Sequence, residues 1–336
     1  MNINDQKISD LIEKANQEKP IFTAGPASLL FENVVGLKNC FGRGDDEYNL
    51  TEDEVLKTLL KMGGHSKIAR LQGSASLALE IMICNFAYGK VLIVNSGYYS
   101  ERLDGMARSA QKQYCNITEI HNVDWNKMDE CSGDFDWIIS CYTETSNGTL
   151  IPIHELRSLA DRTSSKLMLD ATASIGLEIG HELSDAMAYS SCKGLFGLTG
   201  ASFISFNEMP SNEIDSFYLN LASHLDRKMT GPYHSICSLY YVLKNHDSFK
   251  EAVLENKKRF LSMASEWLIH PAKYEPNLCT YISANIKATN SKTILYYPRS
   301  LERGSVVCHL GEVHLGRNAK GDIFKNIEVS SEQSNG

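Results

Sequence analysis

Residues 166–194, KLMLDATASIGLEIGHELSDAMAYSSCKG, decide the fold of this chain. Two short apolar runs in this stretch, at 166–170 and 186–191, predict strands that are buried on both faces of a sheet. The first run ends on Asp170, and Lys193 follows the second run. Ligands of open α/β sheets bind outside the carboxyl ends of the strands. We therefore expect Asp170 and Lys193 to lie at the same edge of a sheet.

The alternation of strand and helix patterns extends over most of the chain. Short apolar runs at 90–95, 136–141 and 202–206 predict further strands. Residues 100–113 and 153–163 have helical periodicity. Strands separated by helices are typical of a mostly parallel sheet that is covered on both faces. The predicted fold class is therefore α/β, with a mostly parallel sheet in the larger part of the chain.

Polar turns introduce two further predicted helices. Residues 52–62 have helical spacing, and Thr51 or Asp53 is the predicted N-cap. The segment Leu71-Gln-Gly-Ser-Ala-Ser76 precedes the apolar run LALEIMICNFA, and we interpret it as a turn that opens a buried helix. The N–H groups at the start of such a helix suit an anion such as a phosphate group.

The last third of the chain has a different pattern. Residues 232–260 are helical in pattern and rich in Tyr, Leu and Lys, whereas 278–297 hold strand-like runs. A smaller lobe with a boundary near residue 235 is therefore predicted. The expected divisions are an N-terminal helical segment (1–20), a large domain (21–235) and a small C-terminal α+β domain (236–330).

Charge and composition exclude several classes of partner. The 336 residues include 33 Lys+Arg and 41 Asp+Glu, which gives a formal net charge of −8. This balance repels nucleic acids and anionic lipid surfaces, so neither is an expected partner. With 43% hydrophobic and 22% charged residues, the chain has the composition of a globular protein and not of a disordered one.

The cysteines and the N-terminal segment favour a cytoplasmic protein. Nine cysteines are scattered without a CxxC pair, which is typical of reduced thiols and not of disulfides or structural zinc. The polar first twenty residues lack a secretory core, and no run approaches the ~18 apolar residues of a membrane span. Cys308, His309 and His314 match no familiar zinc-binding spacing, so no metal site is predicted.

Pyridoxal phosphate requires the chemical groups that follow the predicted strands. A lysine amine forms a Schiff base with this cofactor, and a carboxylate keeps its pyridine nitrogen protonated. An aromatic side chain stacks on the ring, and hydroxyls and helix N-termini hold the phosphate. The candidates for these roles are Lys193, Asp170, Tyr98, Tyr99 and the turn Gly73–Ser76.

Each of these residues also has an ordinary structural explanation. An Asp at a strand end often caps a turn, a Lys after a strand is usually solvated, and most Gly-Ser turns bind nothing. The pattern alone supports an α/β enzyme with an anion site and leaves the cofactor open. No GxGxxG follows any predicted strand, which disfavours a nucleotide-binding dehydrogenase.

Several motifs in one order give the chain a more specific signature. They are Gly44–Asn49 (GDDEYN), Leu71–Ser76 (LQGSAS), Val91–Gly97 (VLIVNSG), Glu144–Gly148 (ETSNG) with Pro152–Ile153, Leu169–Gly176 (LDATASIG), Ser190–Lys193 (SSCK) and Gly311–Val313 (GEV). From about residue 23 to 313 the sequence resembles the class V aminotransferases, which are fold-type-I pyridoxal-phosphate enzymes. The resemblance implies transfer of an amino group between a small amine and a 2-oxo acid such as pyruvate. The implied amine is 2-aminoethylphosphonate or a similar phosphonate- or phosphate-bearing amine.

The resemblance implies a role for each matching position. Lys193 would form the Schiff base and move the proton between the substrate carbon and the cofactor. Asp170 would pair with the pyridine nitrogen, and Tyr99 would stack on the ring. The other implied cofactor contacts are Ser74, Ala75, Ser76, Thr145, Thr172, Cys192 and Tyr233.

Three of the implied contacts concern the substrate or a second subunit. Ala27 and Ser28, in a retained Gly25-Pro-Ala-Ser loop, would contact the phosphonate group of the substrate. Tyr233 aligns with a segment that in the family reaches the phosphate of the neighbouring subunit. A homodimer with active sites at the subunit interface is therefore implied. Cys192 stands where relatives often carry Gln or Asn, and a thiol is a weaker hydrogen-bond partner than an amide.

The site for the substrate carboxylate departs from the family pattern. Aligned on Gly311–Val313, Val306 falls at the position of the Arg that clamps this carboxylate in the family. A short gap would instead place Arg303 there, and His309 or Arg299 are further candidates. Arg303 and His309 are the expected substrate-binding residues of this region.

Two alternative functions remain open at this point. A class V lyase or desulfurase usually has His before the lysine and Cys on a mobile loop, whereas here Cys192 precedes Lys193 and Cys308 is the candidate loop thiol. A catalytically idle, aminotransferase-like binding protein is favoured by the short C-terminal lobe and the missing Arg. The presence of Lys193, Asp170 and Tyr99 opposes this second alternative.

Overall fold

A seven-stranded sheet forms the centre of the fold in a computed structural model that describes residues 3–301, 303–313 and 323–330. In sheet order the strands are β2 (Lys67–Gln72), β10 (Ala201–Phe206), β9 (Ala186–Ser190), β8 (Lys166–Asp170), β5 (Trp137–Cys141), β3 (Gly89–Asn95) and β4 (Ile117–Asp124). β10 is antiparallel to both of its neighbours, and the other pairings are parallel. This mostly parallel sheet confirms the predicted α/β fold class.

Helices pack against both faces of the sheet. Over the described residues they are α1 (Ile3–Glu18), α2 (Phe31–Val35), α3 (Asp46–Gly63), α4 (Ala75–Phe86), α5 (Tyr98–Tyr114), α6 (Ile153–Arg162), α7 (Leu221–Leu225), α8 (Tyr233–Lys244) and α9 (His246–Ala264). In this part of the chain, no helix combines the length and the apolar character that crossing a bilayer requires. The helices expected over 100–113 and 153–163 are confirmed, and α1 lies within the N-terminal segment expected to be helical.

The start of α3 differs from the prediction. The helix begins at Asp46, and the N-cap is Asp45, whose carboxylate accepts the N–H of Tyr48 at 3.0 Å. Neither Thr51 nor Asp53 is the N-cap, because both lie within the helix. The Thr51 hydroxyl donates to the carbonyl of Glu47, one turn earlier. Asp45 supplies the acceptor that the first turn lacks, so the helix extends back to it.

The central strand β8 shows how the apolar pattern produces two cores. Successive side chains of a strand point to opposite faces of the sheet. Leu167 and Leu169 join the core on one face, whereas Met168 joins the core on the other face. All three side chains are buried, which explains the uninterrupted apolar run. The polar residue that ends the strand, Asp170, is left at the carboxyl edge of the sheet.

The remaining strands are short and form two-stranded pairs. They are β1 (Ile21–Phe22) with β13 (Ile294–Leu295), β6 (Thr143–Glu144) with β7 (Thr149–Leu150), β11 (Cys279–Ile282) with β14 (Ser305–Cys308), and β12 (Asn285–Ala288) with β15 (Ile327–Ser330). The strand-like runs expected over 278–297 are therefore present. A third core, which includes Phe22 of β1 and Phe260 of α9, lies among these pairs. The domain boundary near residue 235 stays a prediction.

A buried glutamate ties β1 to the C-terminal part of the chain. One oxygen of the Glu312 carboxylate accepts the N–H of Ile21 at 2.5 Å. Burial raises the pKa of Glu312 to about 7, above the value of about 4.3 for an unfolded chain. The folded state therefore holds this proton more tightly than the unfolded state. The contribution of Glu312 to stability is present below about pH 4.3 and is lost as the pH rises to about 7.

Replacing Glu312 by Gln removes this titration and keeps an oxygen that accepts the Ile21 N–H. We expect the free energies of unfolding of the two proteins to be similar near about pH 5. Near about pH 8 the variant is expected to be more stable, by ~3 kcal/mol, because the wild type then buries a charge. Urea unfolding at both pH values measures the difference. A difference that does not change with pH would contradict this account.

Candidate active site

The carboxyl ends of β8 and β9 bring the two central residues of the candidate site to one edge of the sheet. Asp170 ends β8 and is 3% exposed, and Lys193 follows β9 in the next turn. The ring of Tyr99, at the start of α5, joins them, because its centroid lies 5.6 Å from the Lys193 Nζ. The structure therefore places the lysine and the buried carboxylate at one edge of the sheet, as the two strands predicted, and brings an aromatic ring to the same edge.

Arg102 links the aromatic ring to the buried carboxylate. Its guanidinium carbon lies 4.8 Å from the centroid of the Tyr99 ring. Its Nη2 lies 3.9 Å from an oxygen of Asp170. The other Asp170 oxygen accepts the N–H of Thr172 at 2.9 Å. These contacts fix the orientation of the carboxylate.

Glu144 fixes the start of α5 and therefore the position of Tyr99. This fully buried carboxylate accepts the N–H groups of Tyr99 and Ser100 at 3.0 and 3.2 Å. Its second oxygen accepts the N–H and the hydroxyl of Ser146 at 3.1 and 2.6 Å. Burial raises the pKa of Glu144, and these donors oppose that shift. A remote carboxylate thus acts as the cap that the first turn of α5 needs.

Thr145 follows Glu144 in the chain, and Tyr296 from the C-terminal part of the chain contacts it. Thr145 is buried between Glu144 and Ser146. The hydroxyl of Tyr296, just after β13, interacts with the hydroxyls of both Thr145 and Tyr99. Two predicted cofactor contacts are therefore bridged by a side chain that the sequence analysis did not consider.

The loop that carries Ala27 and Ser28 lies against Lys193. A Cβ on Gly25 would approach the Lys193 Cγ to 2.9 Å and the Cys192 carbonyl to 3.3 Å. Gly25 also has a φ of +139°, which favours glycine. The N–H of Ser28 donates to the carbonyl of Gly311 at 3.1 Å. The loop that carries the two predicted phosphonate contacts thus touches Lys193 through Gly25 and the Gly-Glu-Val motif through Ser28.

The predicted phosphate turn lies at the start of α4. The N–H groups of Leu77 and Ala78 donate to the carbonyl of Ser74 at 3.1 and 3.4 Å. The N–H groups of Ala75 and Ser76 precede these first helical bonds, so they need an acceptor from outside the helix. Ser74 is exposed, and its side chain caps no helical N–H. The helix start is thus suited to an anion, and the binding of a phosphate there stays a prediction.

Cys192 lies beside Ser190, and its sulfur is 3.5 Å from the Ser190 hydroxyl. Tyr233 packs within its own chain, where its ring centroid is 4.9 Å from that of Tyr48 and 6.1 Å from that of Phe41. These contacts place Tyr233 against the start of α3. Its predicted role toward a second subunit stays a prediction.

The structure does not bring His309 to the candidate site. Its side chain is 1% exposed, its Nε2 lies 3.0 Å from the Thr280 hydroxyl, and its ring packs against Phe260. Burial lowers its pKa to about 3, so the imidazole is neutral and cannot attract an anion. Successive side chains along β14 point in opposite directions. Cys308 packs in the same core as Leu167 and Leu169 of β8, so the side chain of His309, the next residue, points away from that core.

Two further points of the sequence analysis concern Arg303 and the residues Cys308, His309 and His314. Arg303 is exposed, and its carbonyl accepts the Tyr281 hydroxyl at 3.0 Å. Among the residues that the structure describes, no group of three His, Cys, Asp or Glu side chains is arranged to hold a metal ion. His314 lies outside these residues.

Relatives of similar sequence are transaminases. A 2-aminoethylphosphonate–pyruvate transaminase from Pseudomonas aeruginosa is 24% identical over 274 residues, which cover 74% of this chain and 73% of the relative. A bifunctional phosphonoacetaldehyde hydrolase/aminoethylphosphonate transaminase from Clostridioides difficile is 24% identical over 298 residues, which cover 78% of this chain and 47% of the relative. No protein-family model matches the chain.

Solved structures with a similar fold are also aminotransferases. An alanine–glyoxylate aminotransferase from Nostoc sp. superimposes with a TM-score of 0.75 at 16% identity, covering 88% of this chain and 90% of its own. A ureidoglycine–glyoxylate aminotransferase from Bacillus subtilis gives a TM-score of 0.73 at 14% identity, with coverages of 91% and 93%. The chain has the fold of the class V aminotransferases. The resemblance indicated by the motifs is confirmed.

Three contributions to the site were missed by the sequence analysis, those of Arg102, Tyr296 and Glu144. Arg102 lies one helical turn after Tyr99, and this i, i+3 spacing on α5 was available from the sequence. Tyr296 had no such signal, because it reaches Thr145 and Tyr99 only through the pairing of β13 with β1. The anchoring role of Glu144 also depends on contacts that cross from one segment to another.

Replacing Glu144 by Ala is expected to lower the free energy of unfolding by ~3 kcal/mol. The change leaves the N–H groups of Tyr99 and Ser100 buried without an acceptor. Glu101→Ala, an exposed change in the same first turn, is the matched control and should cost only ~0.5 kcal/mol. Urea unfolding and hydrogen exchange at Tyr99 and Ser100 measure both effects. Equal losses in the two variants would refute the anchoring role.

Proposed function

We propose that this chain is a pyridoxal-phosphate-dependent aminotransferase. The observation that carries the proposal is the meeting of Lys193, Tyr99 and the buried Asp170 at one edge of the sheet. The class V fold and the transaminase relatives support the same function. Structural roles alone do not require a lysine, an aromatic ring and a buried carboxylate at one edge of the sheet.

The residues present fit the cofactor. The Thr172 hydroxyl and the Arg102 Nε are buried and have no hydrogen-bond partner within the described ranges. Asp170 would bond the pyridine nitrogen, while Tyr99 would stack on the ring. Ser74, Ala75 and Ser76 would hold the phosphate, with Thr145, Thr172 and Cys192 as further contacts. When bound, pyridoxal phosphate supplies the electron sink for the reaction.

Lys193 has two roles in this proposal. Its amine would hold the cofactor covalently in the resting enzyme and would be free once the amine substrate is bound. The free amine would then act as the base that takes up the proton from the substrate carbon and as the acid that gives it back. The Gly25 loop covers the stem of Lys193, which limits the motion of the side chain and keeps the amine close to the Tyr99 ring.

The substrates are a small amine and a 2-oxo acid. The names of the relatives support 2-aminoethylphosphonate, or a similar phosphonate- or phosphate-bearing amine, as the donor and pyruvate as the acceptor. Ala27 and Ser28 belong to the loop whose Gly25 lies against Lys193, which supports their role as phosphonate contacts.

The enzyme is proposed to work as a cytoplasmic homodimer. Tyr233 would contact the cofactor phosphate bound by the neighbouring subunit. The half-buried ring is supported by Tyr48, whose hydroxyl donates to Glu52 at 2.7 Å, and Glu52 in turn pairs with the buried Arg70. These contacts fix the position of the Tyr233 ring, which would then contact a second chain.

The desulfurase-type alternative is disfavoured by the state of its candidate thiol. Cys308 is 1% exposed, and burial raises its pKa well above the usual range. A reactive cysteine needs exposure and a lowered pKa. The idle-protein alternative is opposed by the convergence of Lys193, Asp170 and Tyr99.

Loading the purified protein with pyridoxal phosphate and adding 2-aminoethylphosphonate and pyruvate tests this function. We expect a visible absorption band that Lys193→Ala abolishes and that Lys61→Ala, an exposed control, leaves unchanged. Asp170→Asn should slow amine transfer by at least ~100-fold, because the ring nitrogen loses its ionic partner. A normal band and normal transfer in Lys193→Ala would overturn the proposal.

A further inference from the structure

Three cations approach the Tyr98–Tyr99 pair at the start of α5. Lys193 and Arg102 lie over the ring of Tyr99, and the guanidinium carbon of Arg299 lies 5.5 Å from the centroid of Tyr98. Arg102 already faces the Asp170 carboxylate. Arg299, by contrast, has no carboxylate within 4.0 Å in the described part of the chain. Arg299 therefore places a guanidinium without a carboxylate partner among the described residues beside the Tyr98–Tyr99 pair.

Tyr98 holds Arg299 in a defined position. The Arg299 Nη1 donates to the Tyr98 hydroxyl at 2.8 Å. The N–H of Tyr98 in turn donates to the Ser146 hydroxyl at 3.2 Å, beside the Glu144 anchor. A guanidinium has five N–H donors in a planar fork, so the bond to Tyr98 leaves an edge for a bidentate contact. Holding the exposed side chain in advance reduces the entropy lost when a ligand binds.

The pairing of β1 with β13 places Arg299 on the same side as the Gly25 loop. The two strands are parallel, with Ile21 opposite Ile294 and Phe22 opposite Leu295. The segments that follow them, 23–28 and 296–299, therefore leave at the same end of the pair. The first segment covers Lys193, and the second brings the Tyr296 hydroxyl to Tyr99 and Thr145.

The residue at the aligned carboxylate-binding position cannot supply this charge. Val306 is 3% exposed and lies in the apolar core of β14 opposite Tyr281. The formal net charge of the chain is −8, so an acidic substrate needs a local cation at the site. Arg299 meets this need at the edge where Tyr99 and Lys193 lie.

We infer that Arg299 binds the acid group of the substrate and that Tyr98 positions it. The ligand chemistry is a small carboxylate or phosphonate, which comes from the oxo acid or from the amine. The inference rests on the proposed function for the identity of these substrates. A planar guanidinium that makes two parallel hydrogen bonds recognises either group.

Calorimetric titration of the cofactor-loaded protein with two unreactive acids tests the inference. Propionate is the carboxylate probe, and methylphosphonate is the phosphonate probe. We expect Arg299→Gln to weaken binding of at least one probe tenfold or more, and Tyr98→Phe to weaken it about two- to fivefold. Lys292→Gln removes an equal charge from an exposed position in the same lobe and should change neither affinity by more than about twofold.

The two probes distinguish the source of the acid group. A loss for propionate alone assigns Arg299 to the oxo acid, a loss for methylphosphonate alone assigns it to the amine, and a loss for both assigns a shared site. Arg299→Gln that binds both probes as tightly as Lys292→Gln would overturn the inference. The titration requires no turnover. Failure of amine transfer would therefore count against the proposed function and would not change the outcome of the titration.

Discussion

The buried carboxylate of Glu144 is the constraint on which the candidate site depends. It joins the turn between β6 and β7 to the first turn of α5 through four hydrogen bonds. Separating these segments would leave a charge and several N–H groups buried without partners, which costs several kcal/mol. Tyr99 and Thr145 therefore keep their positions before any ligand binds. This pre-organisation is what a site for a planar cofactor requires.

The C-terminal part of the chain completes the site through the short parallel pair of β1 and β13. That pair brings one segment over Lys193 and another to Tyr99 and Thr145. The large sheet supplies the lysine and the buried carboxylate, whereas the segment after β13 supplies Tyr296 and Arg299. In the proposed function, the sheet edge would hold the cofactor and the segment after β13 would bind the acid group of the substrate.

The parts of the fold that the sequence predicted are those with uninterrupted apolar runs. β8 and its parallel neighbours are buried on both faces, so their patterns are clear. β4 was missed because it is an edge strand with mostly exposed, polar side chains, and β2 because it contains the buried Arg70. Arg70 is compensated by Glu52, at 2.5 Å. Such a pair, like the contact of Tyr296 with Thr145, is created by tertiary structure and has no local signature.

The central claim is that Lys193 carries the cofactor at the carboxyl edge of β8 and β9. Borohydride reduction of the protein loaded with pyridoxal phosphate, followed by proteolysis and tandem mass spectrometry, tests it most directly. We predict that the retained pyridoxyl group is found on Lys193, and that it is absent after denaturation before loading. A pyridoxyl group on a different lysine, or on none, would contradict the claim.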